Sequence, residues 1–379
     1  MVNFECILRQ GGILLENKTK SRLLSYDIIR ITAILLVLLV HVSGYMVLYH
    51  SDTSSREFIV GNILNGVSRA GVPLFLMLTG ALLLNEDRKF DVKKFYKTSF
   101  LWMALLLVGW TVAYGFFYAV LFPTFHHTAV VWDTVGKTMW NYALNLPTMY
   151  PHLWYMFMVV GLYLMIPVLR LFVKRENKKY ILGIILAFVV VQLAVNTGNP
   201  FTKWWTFNFT TIVNKFHVEP ATGFVGYVLT GWFLTNFKIN KPRRLALYGL
   251  SLASVVLATY EVQTMLDTTP GVRGGFYEPL TLTAFLYGLG LFVLLYTLCG
   301  EKETKSRVTA TLSKCAFGTY IIHAFWMEMI TMWWPYWEFE AQKPLLYMVM
   351  LFIAVVTVSY LTVWLVSFIP GLKKIFYIK

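Results

Sequence analysis

From Tyr26 almost to the C-terminus, stretches of about 20 mainly apolar residues follow one another with short polar breaks between them. A stretch of that length is what an α-helix needs to cross the ~30 Å hydrocarbon core of a bilayer. Ten spans are expected: 25–49, 60–84, 98–122, 151–173, 179–198, 219–237, 244–263, 276–299, 310–333 and 344–369. Lipid offers the backbone no hydrogen bonds, so each span must satisfy its own, and the fold class that follows is all-α. The chain reads as a polytopic membrane protein of about ten transmembrane helices, with a membrane domain over 25–370. Composition agrees, since 57% of the 379 residues are hydrophobic and only 14% charged, outside the range of a soluble domain.

A formal charge of +14 would suggest nucleic acid as a partner in a soluble chain. Here the Lys and Arg residues lie between apolar stretches, where they set orientation because positive loops stay in the cytoplasm. On alternate sides of the ten spans the count is 23 against six. The heavier side holds the N-terminal segment 1–24 and the tail 371–379, so both termini are expected in the cytoplasm and the chain in the cytoplasmic membrane. No apolar core with a small-residue cleavage site precedes Arg22, so the first helix is expected to direct insertion itself. The largest outer loop, 123–150, carries His126, His127, Trp132 and Trp140 and is expected to include an interfacial helix. Cys6, Cys299 and Cys315 form no disulfide or zinc pattern and read as unpaired.

A charged side chain inside a span costs a few kcal/mol, roughly, and marks function by default. Arg170 and Lys314 sit close enough to helix ends to reach water. Arg30 and Arg69 do not, and His41 and His323 join them within spans. Asp27, Arg30 and His41 share one face of the first helix, where Asp27 and Arg30, three residues apart, are expected to pair. Arg30 and His41 lie 11 residues and about 16 Å apart along that face. The second helix runs back through the membrane, which puts Arg69 at the depth of His41 and suggests one shared cavity. His323, beside Tyr320, reads more readily as a histidine bonded within the bundle.

Histidine is the side chain best able to take a proton from an alcohol near neutral pH, which makes His41 a candidate general base. An intramembrane arginine such as Arg69 can counter charge on a carbonyl oxygen or hold an anionic acceptor, and the residues alone leave both open. No metal motif (HExxH) and no serine-hydrolase motif (GxSxG) occurs, so no metal is expected. Gly288 and Gly290 read as helix-packing positions. A transporter or flippase for a glycolipid or polysaccharide is the alternative, since a cavity with arginine and histidine would also suit an anionic cargo; the lack of an internal repeat weakens it.

Four segments resemble the membrane-bound acyltransferase 3 family. Arg30, ten residues and His41 are similar to the Arg-x10-His signature of its first helix, and Ser68-Arg69-Ala70-Gly71-Val72-Pro73-Leu74-Phe75 with Thr79-Gly80 to its second-helix motif. His152-Leu153-Trp154-Tyr155 and Phe317-Gly318-Thr319-Tyr320-Ile321-Ile322-His323 resemble later segments. The resemblance implies an O-acyltransferase, commonly an O-acetyltransferase of cell-surface glycans. It implies acyl-coenzyme A, here acetyl-CoA, as co-substrate and a glycan or lipid-linked glycan as acceptor. It carries catalytic roles to His41, Arg30 and Asp27, and acceptor or oxyanion roles to Arg69, His152, Trp154 and Tyr155. Where many members have Arg-x-x-Arg after the second helix, this chain has Lys94 and Lys97, which keep the charge but not the two-pronged grip on phosphate. Lys94, Lys97 and Arg30 are the expected donor-binding residues.

Overall fold

A computed structural model describes residues 22–49, 52–125, 128–144, 152–190, 223–268, 277–333 and 343–376. The N-terminal segment up to Ser21, with Cys6, and the pair His126-His127 lie outside these residues. The described chain is helical, with one isolated β-bridge between Leu23 and Glu303. Its helices are α1 Leu24–Tyr49, α2 Arg56–Ser68, α3 Gly71–Leu83, α4 Val92–Phe125, α5 Trp132–Leu144, α6 Trp154–Phe172, α7 Lys178–Ala187, α8 Val225–Asn236, α9 Lys241–Thr268, α10 Leu282–Cys299, α11 Arg307–Trp333 and α12 Pro344–Ser367.

Each expected span overlaps helix among the described residues, and seven helical segments, one of them α2 and α3 taken together, are long and apolar enough to cross a bilayer. The other three differ for separate reasons. The segment 179–198 is described only as far as Val190, and α8 has 12 residues. Helix α11 has the length, 27 residues, but carries Lys314, His323 and Glu328. It lies inside the bundle with eight buried residues, where polar side chains meet cavities rather than lipid.

Helix α1 is the axis of the fold, packed against α2, α3, α10, α11 and α12. Its buried residues Ile29, Ala33, Ile34, Val37, Leu38, Val42 and Met46 recur at helical spacing. The second span is two helices, because Pro73 has no N–H for the carbonyl of Arg69 and the ladder breaks at 69–70. Arg69 therefore stands at a helix junction in mid-span. Helices α3 and α8 approach through glycines on both sides: a Cβ on Gly80 would collide with the Val228 carbonyl, and one on Gly231 with the Met77 carbonyl. Gly288 meets Pro73 and Gly290 meets Ser251 in the same way, as packing positions do.

The basic segments gather at one end of the bundle. Leu24 N–H donates to the Lys302 carbonyl and Thr304 N–H to the Arg22 carbonyl, both at 2.8 Å. Arg175 pairs with Glu86 and Asp87 and donates to Asn236 Oδ1. Trp102 Nε1 donates to the Lys374 carbonyl, bringing the C-terminal segment to the start of α4. Arg170 does not simply reach for water as expected: it donates to the carbonyls of Leu83, Asn85 and Arg88 and so caps α3. The expected helix in the outer loop is α5, packed on α4 with Trp132 and Trp140 exposed. Cys299 and Cys315 are free.

Candidate active site

Among the described residues two cavities with polar linings open along α1, and each takes one of its polar residues. At the basic end a cavity of about 310 Å³ is lined by Arg22, Arg30, Ser313 and Lys314, with an apolar wall that includes Leu78, Leu82 and Val159. Toward the other end a cavity of about 460 Å³ is lined by His41, Asn65, Arg69, His152, Trp154, Tyr277, Glu278 and Glu328. Phe75, Tyr155 and Tyr320 line both.

At the basic end the buried Asp27 organises the cations. Its carboxylate accepts from Arg22 Nη2 at 2.5 Å, Arg22 Nε at 3.1 Å, Ser313 Oγ at 2.6 Å and Thr304 Oγ1 at 2.7 Å. The expected pair with Arg30 forms at 3.7 Å, and Arg30 Nη1 also donates to Ser313 Oγ at 2.8 Å. One buried carboxylate thus fixes two guanidinium groups that would otherwise repel. Asp27 does not approach His41. Lys94 and Lys97 are exposed at the start of α4 and do not line the cavity, whereas Lys314 does.

At the larger cavity three imidazoles pack ring to ring, with His323 behind the two that line it: His41 to His323 at 5.0 Å between centroids, His152 to His323 at 5.3 Å and His41 to His152 at 6.5 Å. His323 is fully buried, and its Nδ1 meets the Tyr320 carbonyl at 2.5 Å. A carbonyl only accepts, so Nδ1 carries the proton and Nε2 holds a lone pair. Among the described residues that Nε2 has no hydrogen-bond partner, nor has Nε2 of His152. An unsatisfied lone pair in the core is a place for a donor, and His41 is the nearest imidazole. Among the described residues no group of His, Cys, Asp or Glu could hold a metal ion.

Arg69 is held by neutral acceptors. Its Nε and Nη2 donate to Asn65 Oδ1, its Nη1 donates to the Tyr277 carbonyl at 3.0 Å, and the guanidinium lies 4.5 Å above the Tyr277 ring. Asn65 is fixed in turn by donating to the Val40 carbonyl and Ser43 Oγ, both at 3.0 Å, on either side of His41 in sequence. The expected shared cavity of His41 and Arg69 is present, with His152, Trp154 and Tyr155 in its wall.

Residues 23–364 match the acyltransferase domain that defines the acyltransferase 3 family. The chain belongs to this acyltransferase family. No curated protein and no solved structure matches it. Family membership and the apolar helices make it a multi-pass membrane acyltransferase, and lend nothing to the transporter or flippase alternative.

Sequence reasoning missed several residues of this acyltransferase's cavities. Arg22 counts as one more topology charge, and Ser313, Asn65 and Tyr277 carry no signal of their own. Glu328 did carry one, as a carboxylate within an apolar stretch. Its Oε1 accepts from the Tyr118 hydroxyl at 3.3 Å, and the residue lines the His41 cavity.

Proposed function

We propose that this acyltransferase moves an acyl group, specifically acetyl, from acyl-coenzyme A to a hydroxyl of a cell-surface or lipid-linked glycan. The observation that carries the reading is the pair of cavities on either side of one aromatic layer, with Arg22, Arg30 and Lys314 in one and His41 and Arg69 in the other. The cationic cavity suits the phosphates of a coenzyme A thioester, which guanidinium groups bind well. With the basic end in the cytoplasm, as the charge bias favours, the donor comes from the cytoplasm and the acceptor meets it from the opposite side of the cytoplasmic membrane. The acceptor class follows the family resemblance, of which the O-acetyltransferase of enterobacterial common antigen is an example.

In this mechanism the Tyr320 carbonyl fixes the tautomer of His323, which leaves the lone pair on Nε2 of His323 available to accept the N–H of the neighbouring His41 in the reaction. His41 is then left with a lone pair for the acceptor hydroxyl. The hydroxyl oxygen bonds to the thioester carbon as its proton passes to His41. The C–S bond breaks, and the proton leaves with the sulfur as thiol. Arg69, already aligned by Asn65 and Tyr277, counters the charge on the carbonyl oxygen. Asp27 acts as a positioning residue for Arg22 and Arg30. Transfer of label from acetyl-CoA to glycan by the purified protein, lost in His41→Ala, is the expected result; a purified protein that neither transfers label nor releases thiol would sink the proposal.

A further inference from the structure

The two cavities are separated by side chains rather than by backbone. Phe75 of α3, Tyr155 of α6 and Tyr320 of α11 are the residues common to both linings. Tyr155 sits between the other two rings, 6.0 Å from Phe75 and 5.4 Å from Tyr320 between centroids. Two of the three are held in place. Tyr320 is tied by its hydroxyl to the His152 carbonyl and packs edge-on against Tyr155, and both tyrosines are buried.

Phe75 differs from its neighbours in the layer. It has no polar atom to tie it down, it is only half-buried, and it borders open space on two sides. Its helix, in contrast, is fixed against α8 by the Gly80–Val228 and Gly231–Met77 contacts, so the side chain and not the backbone is the part free to adjust. A thioester held by Arg30 reaches His41 through the layer that this ring shares with Tyr155 and Tyr320. A longer acyl chain must then fit between Phe75 and the imidazoles or displace the acceptor.

Resting on the function proposed above, we infer that Phe75 is the residue that sets the size of the acyl group, restricting the enzyme to short chains. Apolar pockets discriminate single methylenes by roughly ten-fold or more when packing is tight. The selectivity therefore resides in one ring whose removal leaves no polar group unsatisfied.

The test is thiol release from acetyl-, butyryl- and hexanoyl-coenzyme A by the full-length protein in membranes that contain its natural acceptor. The butyryl-to-acetyl ratio of kcat/KM is expected to rise about ten-fold or more in Phe75→Ala, to rise less in Phe75→Leu, and to fall in Phe75→Trp. The leucine variant keeps most of the apolar volume and stands in for alanine should that variant fail to fold. A ratio unchanged in the leucine and tryptophan variants, with release by the unaltered protein intact, overturns the assignment of Phe75 alone. Release from none of the three donors by the unaltered protein overturns the proposed function, and the assignment falls with it.

Discussion

His41 on α1 and His323 on α11 stand with ring centroids 5.0 Å apart, although 282 positions separate them in the chain. The Tyr320 carbonyl holds the Nδ1 proton of His323, so the pair can run as a chain from carbonyl to imidazole to imidazole. His41→Ala removes the end of that chain and should lower kcat by about 100-fold or more without loss of folded protein. His323→Leu should lower kcat with little change in KM for the donor, while His323→Gln, whose amide oxygen can accept where Nε2 does, should recover part of the loss. Steady-state kinetics on the three variants decide it: equal activity of the Leu and Gln forms would reduce His323 to packing.

Arg69 tests whether shape or charge matters in the larger cavity. Arg69→Lys keeps the charge but cannot bridge Asn65 and the Tyr277 carbonyl together, so the cation is no longer aimed. The expected cost is about 100-fold in kcat, the scale of one lost oxyanion donor. A lysine variant with near-normal kcat would mean that Arg69 supplies only a diffuse field.

How much of this was readable beforehand depended on distance along the chain. Relations within the first helix were plain, since Asp27, Arg30 and His41 follow from helical spacing, whereas the second span was expected as one helix and its break at 69–70 was not. Contacts between remote segments were not. Arg22 counts as a topology charge until Asp27, Ser313 and Thr304 are seen around it, the last two more than 270 positions away. Lys94 and Lys97 drew notice through the resemblance to a motif after the second helix, while the smaller cavity is lined by cations at the start of α1 and on α11. Helix α11 shows why hydropathy is a partial guide, since a helix enclosed by others has no need to match lipid.

The α3–α8 contact predicts a sharp contrast between glycines. Gly80→Ala drives a methyl group into the Val228 carbonyl, and Gly231→Ala drives one into the Met77 carbonyl, neither of which a side-chain rotation can relieve. Each should cost about 1–3 kcal/mol or more, read as a lower melting temperature in detergent. Gly109 on α4 has open space where its Cβ would be, so Gly109→Ala should be neutral or slightly stabilising. Similar melting of all three would remove the argument that α3 is held by close backbone approach.

At the basic end, hydrogen bonds from Arg175 hold the Asp87 carboxyl below its ordinary value. A depressed carboxylate contributes its stabilisation above the ordinary carboxylate range and loses it as pH falls through the depressed value. Both groups are exposed, so the effect is local rather than global. The protection factors of the amides at residues 85–88 should fall on acidification below that range, and in Arg175→Ala they should be low at neutral pH with little further change. Identical exchange in the variant and the unaltered protein would count against the clamp.

The last prediction separates two sets of cations. Lys94 and Lys97 belong to the loop segment with the most basic residues, five from Arg88 to Lys97, and Arg30 and Lys314 line the cavity at the basic end. Orientation in the membrane depends on total positive charge in a loop, whereas phosphate recognition depends on where each cation stands. If the cavity holds the donor, Arg30→Gln and Lys314→Gln should each raise KM for acetyl-CoA several-fold, by about 1 kcal/mol or more per lost charged contact. Arg30→Gln should have the larger effect, because it also leaves Asp27 with one guanidinium instead of two. Lys94→Gln with Lys97→Gln, balanced by two lysines added elsewhere in the same loop, should insert normally and change KM by less than either cavity variant. The opposite ranking, with the lysine pair dominant and the cavity residues silent, would place the donor's phosphates on the exposed start of α4 and leave the smaller cavity to the thioester end alone.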